Sequence, residues 1–109
     1  MERTKKNIKK DVIEQFCETL LRMDEISEVK AFLKDVCTPK ELEDLSERWN
    51  VCLHLNMGKS YRAISKETGV SLATITRVAR FLKDEPYKGY KMALGKLKEN
   101  EVPRNDENL

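Results

Sequence analysis

The side chains best placed to do chemistry lie between residues 58 and 82, and that chemistry is hydrogen bonding and charge pairing. The stretch reads Gly-Lys-Ser-Tyr-Arg-Ala-Ile-Ser-Lys-Glu-Thr-Gly-Val-Ser-Leu-Ala-Thr-Ile-Thr-Arg-Val-Ala-Arg-Phe-Leu. Ile64, Val70, Ile75 and Val78 stand at the separations at which two short helices turn apolar side chains toward each other. Gly69 supplies the positive φ of a sharp turn, and Ser71 a side-chain oxygen that caps a new helix by accepting from a backbone N–H two or three residues on. The outer face of that second helix is left with Ala73, Thr74, Thr76, Arg77 and Arg80, which are small, hydroxylic or cationic. Such a face suits a nucleic-acid groove rather than a protein core. The pattern predicts a helix-turn-helix over about 60–83.

That placement sets the expected contacts. Ser71, Leu72, Ala73, Thr74 and Thr76 at the front of the second helix would meet base edges. Lys59, Ser60, Tyr61 and Arg62 at the start of the first would meet phosphates, with Arg77 and Arg80 adding charge. A helix N-terminus offers unpaired N–H donors and the positive end of its dipole, both suited to phosphate.

Charge is distributed to match. The net formal charge of +2 argues for no particular partner, but it is the sum of +4 over residues 1–10, −6 over 11–50, +7 over 51–98 and −3 over 99–109. The positive excess coincides with the helix-turn-helix and the segment C-terminal to it, as an electrostatic footprint for double-stranded DNA should.

Other chemistries find less support. Cys17, Cys37 and Cys52 are odd in number, widely spaced and form no Cys-x-x-Cys pair, which argues against both a disulfide framework and a zinc site. They are expected as small buried thiols. His54, the only histidine, has no partner at metal-ligand spacing and is expected to be structural or exposed. Trp49 beside Arg48 is expected in the core, at helical spacing from Leu45 and Cys52. The glycines form no phosphate-binding loop and no nucleophile–base set stands out, so no enzyme is expected, nor any metal or cofactor. Met1 is followed by Glu-Arg-Thr-Lys-Lys with no apolar stretch behind it, and no run reaches the roughly 18–20 apolar residues of a membrane span. A cytoplasmic protein without membrane contact is expected.

The elements that must position the motif are all helical. With 109 residues, 37% of them charged and only four Gly and three Pro, the chain reads as one all-α domain. Residues 1–7 are expected as a flexible basic N-terminus, 8–98 as the helical domain and 99–109 as a disordered acidic tail. From about Ile8 to Met23, Ile8, Val12, Ile13, Phe16, Cys17, Leu20 and Leu21 form one amphipathic stripe. Val29, Phe32, Leu33 and Val36 mark a second helix. Thr38-Pro39-Lys40-Glu41 is a capping box with proline at the first helical position, opening a long helix that Gly58 closes. The recognition helix runs from about Leu72 to Lys83, halted by Pro86. A last helix carries Tyr87, Tyr90, Leu94 and Leu97. The apolar faces of the first and last helices, with Ile8, Val12, Phe16, Leu20, Leu94 and Leu97, are expected to meet a second copy.

With that helix order in place, the chain resembles the Trp repressor superfamily, and within it the small Trp-repressor-related regulators of Gram-positive bacteria. The resemblance rests on Cys-Thr-Pro-Lys-Glu-Leu-Glu-Asp-Leu at 37–45 and Ala-Thr-Ile-Thr-Arg at 73–77, followed by Leu82-Lys83 and Pro86. It implies six helices per subunit, an intertwined homodimer and a transcriptional regulator, expected to be a repressor, that binds a DNA operator. Two arginines that flank the family's corepressor match Arg48 and Arg77. The family's Gly and Ser of that pocket are replaced here by Val78 and Phe81, which take up room and remove a polar partner. Phe81 is expected to fill the pocket from within, so tryptophan is not expected as the effector. The alternative is a protein-interaction module that keeps the helix-turn-helix shape without an operator.

Overall fold

The computed structural model describes the backbone of residues 5–84 and 86–100 and the side chains of 11–84 and 86–98. Among the described residues there are six helices and no strand: α1 (Lys5–Leu21), α2 (Ile26–Val36), α3 (Pro39–Asn56), α4 (Tyr61–Thr68), α5 (Leu72–Lys83) and α6 (Gly89–Asn100). None is long and apolar enough to cross a membrane. Contacts divide the chain into two units, Met1–Leu42 and Glu43–Leu109.

In the N-terminal unit, helix α1 begins at Lys5, earlier than the expected start near Ile8, whose side chain lies outside the described residues. After α1, Arg22 N and Met23 N donate to Thr19 O and Leu20 O in a tight turn. Glu28 then closes the first turn of α2 by accepting from Asp24 N at 2.7 Å and Glu25 N at 3.4 Å. Phe16 and Phe32 meet with ring centroids 5.8 Å apart. The Thr38 box forms as read: Glu41 Oε1 accepts from Thr38 N at 2.9 Å, and Thr38 Oγ1 from Glu41 N at 3.1 Å. No described residue of this unit is buried. Cys17, expected to be buried, is therefore exposed, because its own unit offers α1 too little apolar surface to cover the stripe.

The second unit has a core. Val51 and Cys52 of α3, Ile64 of α4, Val70 of the turn, and Ile75 and Val78 of α5 form one buried cluster. Trp49, Leu55, Leu82, Tyr90 and Leu94 pack around it. Ile64, Val51, Cys52 and Ile75 are fully inaccessible. Trp49 joins this core as expected and stacks on Tyr90, with centroids 6.3 Å apart and planes at 22°. Burial raises the Tyr90 hydroxyl above its ordinary pKa, reinforced by Cys52 and opposed by Arg48 and Arg77. Leu94 of the last helix is half-buried against the core of its own chain. One expectation for that helix is corrected here. Tyr87 lies exposed in the turn before α6, because Lys88 takes a left-handed φ of 53° and the helix starts only at Gly89. Of the expected acidic tail, residues 101–109 lie outside those described, while α6 itself continues to Asn100.

Candidate nucleic-acid interface

The helix-turn-helix is α4, the turn at Gly69 and α5. Gly69 has φ of 81° and donates its N–H to Ser65 O at 2.8 Å, which ends α4 on a single left-handed residue. A Cβ there would meet nothing within 4 Å, so backbone conformation rather than crowding selects glycine. The polar residues of the turn satisfy its backbone. Thr68 Oγ1 donates to Ile64 O at 2.7 Å and accepts from Val70 N at 3.1 Å, and Ser65 Oγ donates to Val70 O at 2.9 Å. Apolar Ile64, Val70, Ile75 and Val78 all turn inward, as their spacing requires.

Both helices of the motif begin on a serine. Ser60 Oγ accepts from Ala63 N at 3.1 Å, and Ser71 Oγ accepts from Thr74 N at 3.2 Å. Ser71 Oγ also donates to Thr74 Oγ1 at 3.1 Å, which leaves the half-buried Thr74 hydroxyl its own proton to give. Thr76 Oγ1 donates back to Leu72 O at 2.8 Å, so its free capacity is as an acceptor. Ser60, Tyr61 and Arg62 are exposed at the start of α4, as are Leu72, Ala73, Thr76 and Arg80 on α5. The structure thus brings one group of candidates together at the front of α5 and another at the start of α4.

Lys59 differs from the other candidate cations. Its Nζ donates to Glu67 Oε1 at 2.8 Å, and that hydrogen bond and charge hold the Glu67 carboxyl below its ordinary pKa. On the inner side of Glu67, His54 Nδ1 lies 3.7 Å from the same oxygen. It is buried and has no hydrogen-bond partner.

Arg77 is exposed but is turned away from this group: its guanidinium lies over the Phe81 ring, 4.5 Å from the centroid. Arg48, Arg77, Val78 and Phe81 line one hollow of about 290 Å³, together with Tyr87, Lys88, Gly89 and Tyr90. None of the last four was read from the sequence as a pocket residue; Tyr87 and Tyr90 marked only the apolar face of the last helix. The left-handed Lys88 that swings them to the rim leaves no pattern in residue type. Phe81 forms part of the wall and leaves the hollow open. Among the described residues no group of three or more His, Cys, Asp or Glu is arranged to hold a metal ion.

Comparison with known proteins gives a consistent result. The model of the family described as Trp repressor protein matches residues 11–98. YerC, an uncharacterised protein of Bacillus subtilis, is 37% identical over 90 residues, which cover 83% of this chain and 86% of that one. A Trp operon repressor homolog of Xylella fastidiosa is 30% identical over 83 residues, covering 75% and 90%. A TrpR-like protein of Eubacterium eligens superposes with a TM-score of 0.75 at 34% identity, over 81% of this chain and 90% of that structure. A candidate Trp repressor from Staphylococcus aureus gives a TM-score of 0.77 at 28% identity, over 89% and 96%.

Proposed function

The chain belongs to the Trp repressor family, and from that premise we propose that it is a sequence-specific DNA-binding transcriptional regulator, acting as a repressor and working as a homodimer. The observation that carries the reading is the serine-capped pair α4 and α5, with an exposed hydroxylic and cationic front and a closed apolar back. In helix-turn-helix dimers, the Trp repressor among them, the second helix enters the major groove and the half-sites lie about one helical turn apart. Here α5 would enter the groove with Ser71, Leu72, Ala73, Thr74 and Thr76 at base edges. Ser60, Tyr61, Arg62 and Arg80 would hold phosphates, with Lys59 beside them. The bare stripe of α1, with Val12 54% and Phe16 37% exposed, and the half-exposed Leu97 support a second copy as its cover.

Binding in this reading does not require tryptophan. Val78 is only 1% exposed, belongs to the core and offers the hollow an apolar wall with no polar partner for a ligand. Arg77 already lies over an aromatic face, that of Phe81, and a guanidinium stacked within the chain has less to gain from a ligand ring. A ligand shifts an equilibrium only by its differential affinity for the two states. Calorimetric titration with L-tryptophan should give no micromolar binding, and operator affinity should change less than tenfold (about 1.4 kcal/mol) on adding it.

The test of the main reading is a gel shift on genomic duplex fragments over a range of salt. Lys59, Arg62 and Arg80 from each of two subunits give a log–log slope of about −5. Arg62→Ala should weaken binding to all sequences alike and flatten that slope. Thr74→Ala should change which sequence is preferred, by about 1–3 kcal/mol for a direct contact. Binding that is indifferent to salt and to both substitutions would overturn the groove assignment.

A further inference from the structure

Between residues 51 and 83 the sequence carries six cations and a single carboxylate, Glu67. The fold spends that carboxylate on Lys59, eight residues away and on no shared helix face. The turn after α3 makes the pairing possible. Gly58, with φ of 84°, donates to Leu55 O at 2.9 Å, and Lys59 N donates to His54 O at 3.3 Å. These are the two bonds of a Schellman stop, and they fix Lys59 directly beyond the helix end whose last turn carries His54. Both side chains consequently address one oxygen of Glu67: Lys59 Nζ from the solvent side at 2.8 Å, and the buried, unpartnered His54 Nδ1 from the inside at 3.7 Å.

We propose that Glu67 sets the affinity for DNA by withholding Lys59 from phosphate in the free chain, and that His54 takes over the carboxylate when a phosphate draws Lys59 away. The inference rests on the DNA-binding reading above. An ammonium–carboxylate pair whose side chains are 32% and 49% exposed is weak enough for a phosphodiester to compete for the lysine. The exchange leaves no group stranded. A small rotation of the Glu67 side chain closes the gap to His54, whose Nδ1–H donates, so an orphaned buried nitrogen gains its partner as the lysine leaves. No proton is transferred and no bond other than hydrogen bonds is made or broken. Glu67 is exposed on α4 beside Lys59, where a carboxylate lowers the local positive potential that DNA meets.

The measurement is a double-mutant cycle on the full chain with a mixed-sequence DNA duplex as probe, read by fluorescence anisotropy across a salt series. Glu67→Gln, which keeps the side chain's shape, should tighten binding about three- to tenfold at low salt and leave the log–log slope near about −5, because Lys59 meets phosphate in both complexes. Lys59→Ala should weaken binding, and Glu67→Gln added to Lys59→Ala should return less than about twofold. In the wild type the His54 imidazole nitrogen resonances should move on adding duplex, and in Glu67→Gln they should stay in place. An equal gain from Glu67→Gln in both backgrounds would make Glu67 a general surface charge and overturn the inference. So would wild-type binding with no gain from Glu67→Gln. A wild-type chain that binds no duplex at low salt would instead bring down the DNA-binding reading itself. Circular dichroism of each variant establishes that helicity is unchanged.

Discussion

Both units of the chain carry apolar stripes, and they treat them differently. In Glu43–Leu109 the stripe residues Ile64, Ile75 and Val78 converge with Val51 and Cys52 into a closed cluster. In the N-terminal unit Val12, Ile13, Phe16, Leu21, Ile26 and Val36 all remain exposed, and Phe16 finds only Phe32. Apolar periodicity therefore says which face of a helix is to be covered, and is silent on whether the cover lies in the same chain. A helix-turn-helix can close on itself because its two helices are short, joined by a tight turn and backed by α3. Helix α1 has 17 residues and shares its unit with a helix of 11, which leaves most of its stripe uncovered within that unit.

The largest test of that contrast is in the core. Ile75 is fully inaccessible and joins α5 to the rest of its cluster, so Ile75→Ala removes side-chain carbons where the surroundings have little room to collapse. It should lower unfolding stability by about 3 kcal/mol, read by urea denaturation. A loss below about 1 kcal/mol would mean that this cluster is no better packed than the N-terminal unit.

The second test exchanges unfolding for association. Phe16 is 37% exposed in the single chain, so Phe16→Ala should cost little within it. If the α1 stripe is covered by a second copy, the same substitution removes an aromatic anchor from an interface. Phe16→Ala should then weaken the dimer about 30-fold, or about 2 kcal/mol. Sedimentation across a dilution series should show the wild type at twice 12.7 kDa and the variant shifting toward a single protomer. A wild type that stays at one protomer would leave the bare stripe without its proposed cover.

The third test concerns caps, where the two units should behave alike. Thr38→Ala removes the hydroxyl that accepts from Glu41 N, and Ser71→Ala the one that accepts from Thr74 N. Each should cost about 1 kcal/mol, because a cap acts on the free N–H groups of its own first turn whatever the helix packs against. Helicity and melting temperature of the two variants should fall together. Ser71→Ala should in addition alter DNA preference, since Ser71 also holds the Thr74 hydroxyl.

That local character explains what residue type and spacing alone made legible. Caps, turns and helix faces are decided within four residues. Thr38 with Glu41, Gly69, Ser60, Ser71 and the Leu72–Lys83 helix could all be read directly. The packing of the half-buried Trp49 against the core came from the same spacing. The features that the sequence concealed depend on distant parts of the chain. The exposed state of Cys17 depends on what covers α1. The turn at Lys88 places Tyr87 and Tyr90 on the hollow through a left-handed φ at a residue type that rarely adopts it. The Lys59–Glu67 pair spans eight residues through a helix stop and a second helix, a separation with no periodic signature.

The smallest expected effect tests that last pair through pH. Lys59, by its hydrogen bond and its charge, holds the Glu67 carboxyl below its ordinary value near 4.5, with His54 adding a little. A carboxyl whose folded pKa is depressed binds fewer protons folded than unfolded through the acid range. Its contribution is therefore fully present above about pH 4.5 and is lost as pH falls through the lowered value. Glu67→Gln carries no such group. Melting temperatures of the two proteins should differ by a small constant amount from pH 7 down to about pH 5, and the difference should shrink as pH falls further. Because Glu67 is an exposed side chain on a helix surface, added salt should shrink the difference as well. A gap that persists unchanged as the carboxyl is protonated would mean that it is not held by Lys59 in solution. The helix-turn-helix would then meet DNA with Lys59 already free, and its affinity would not depend on the exchange with His54.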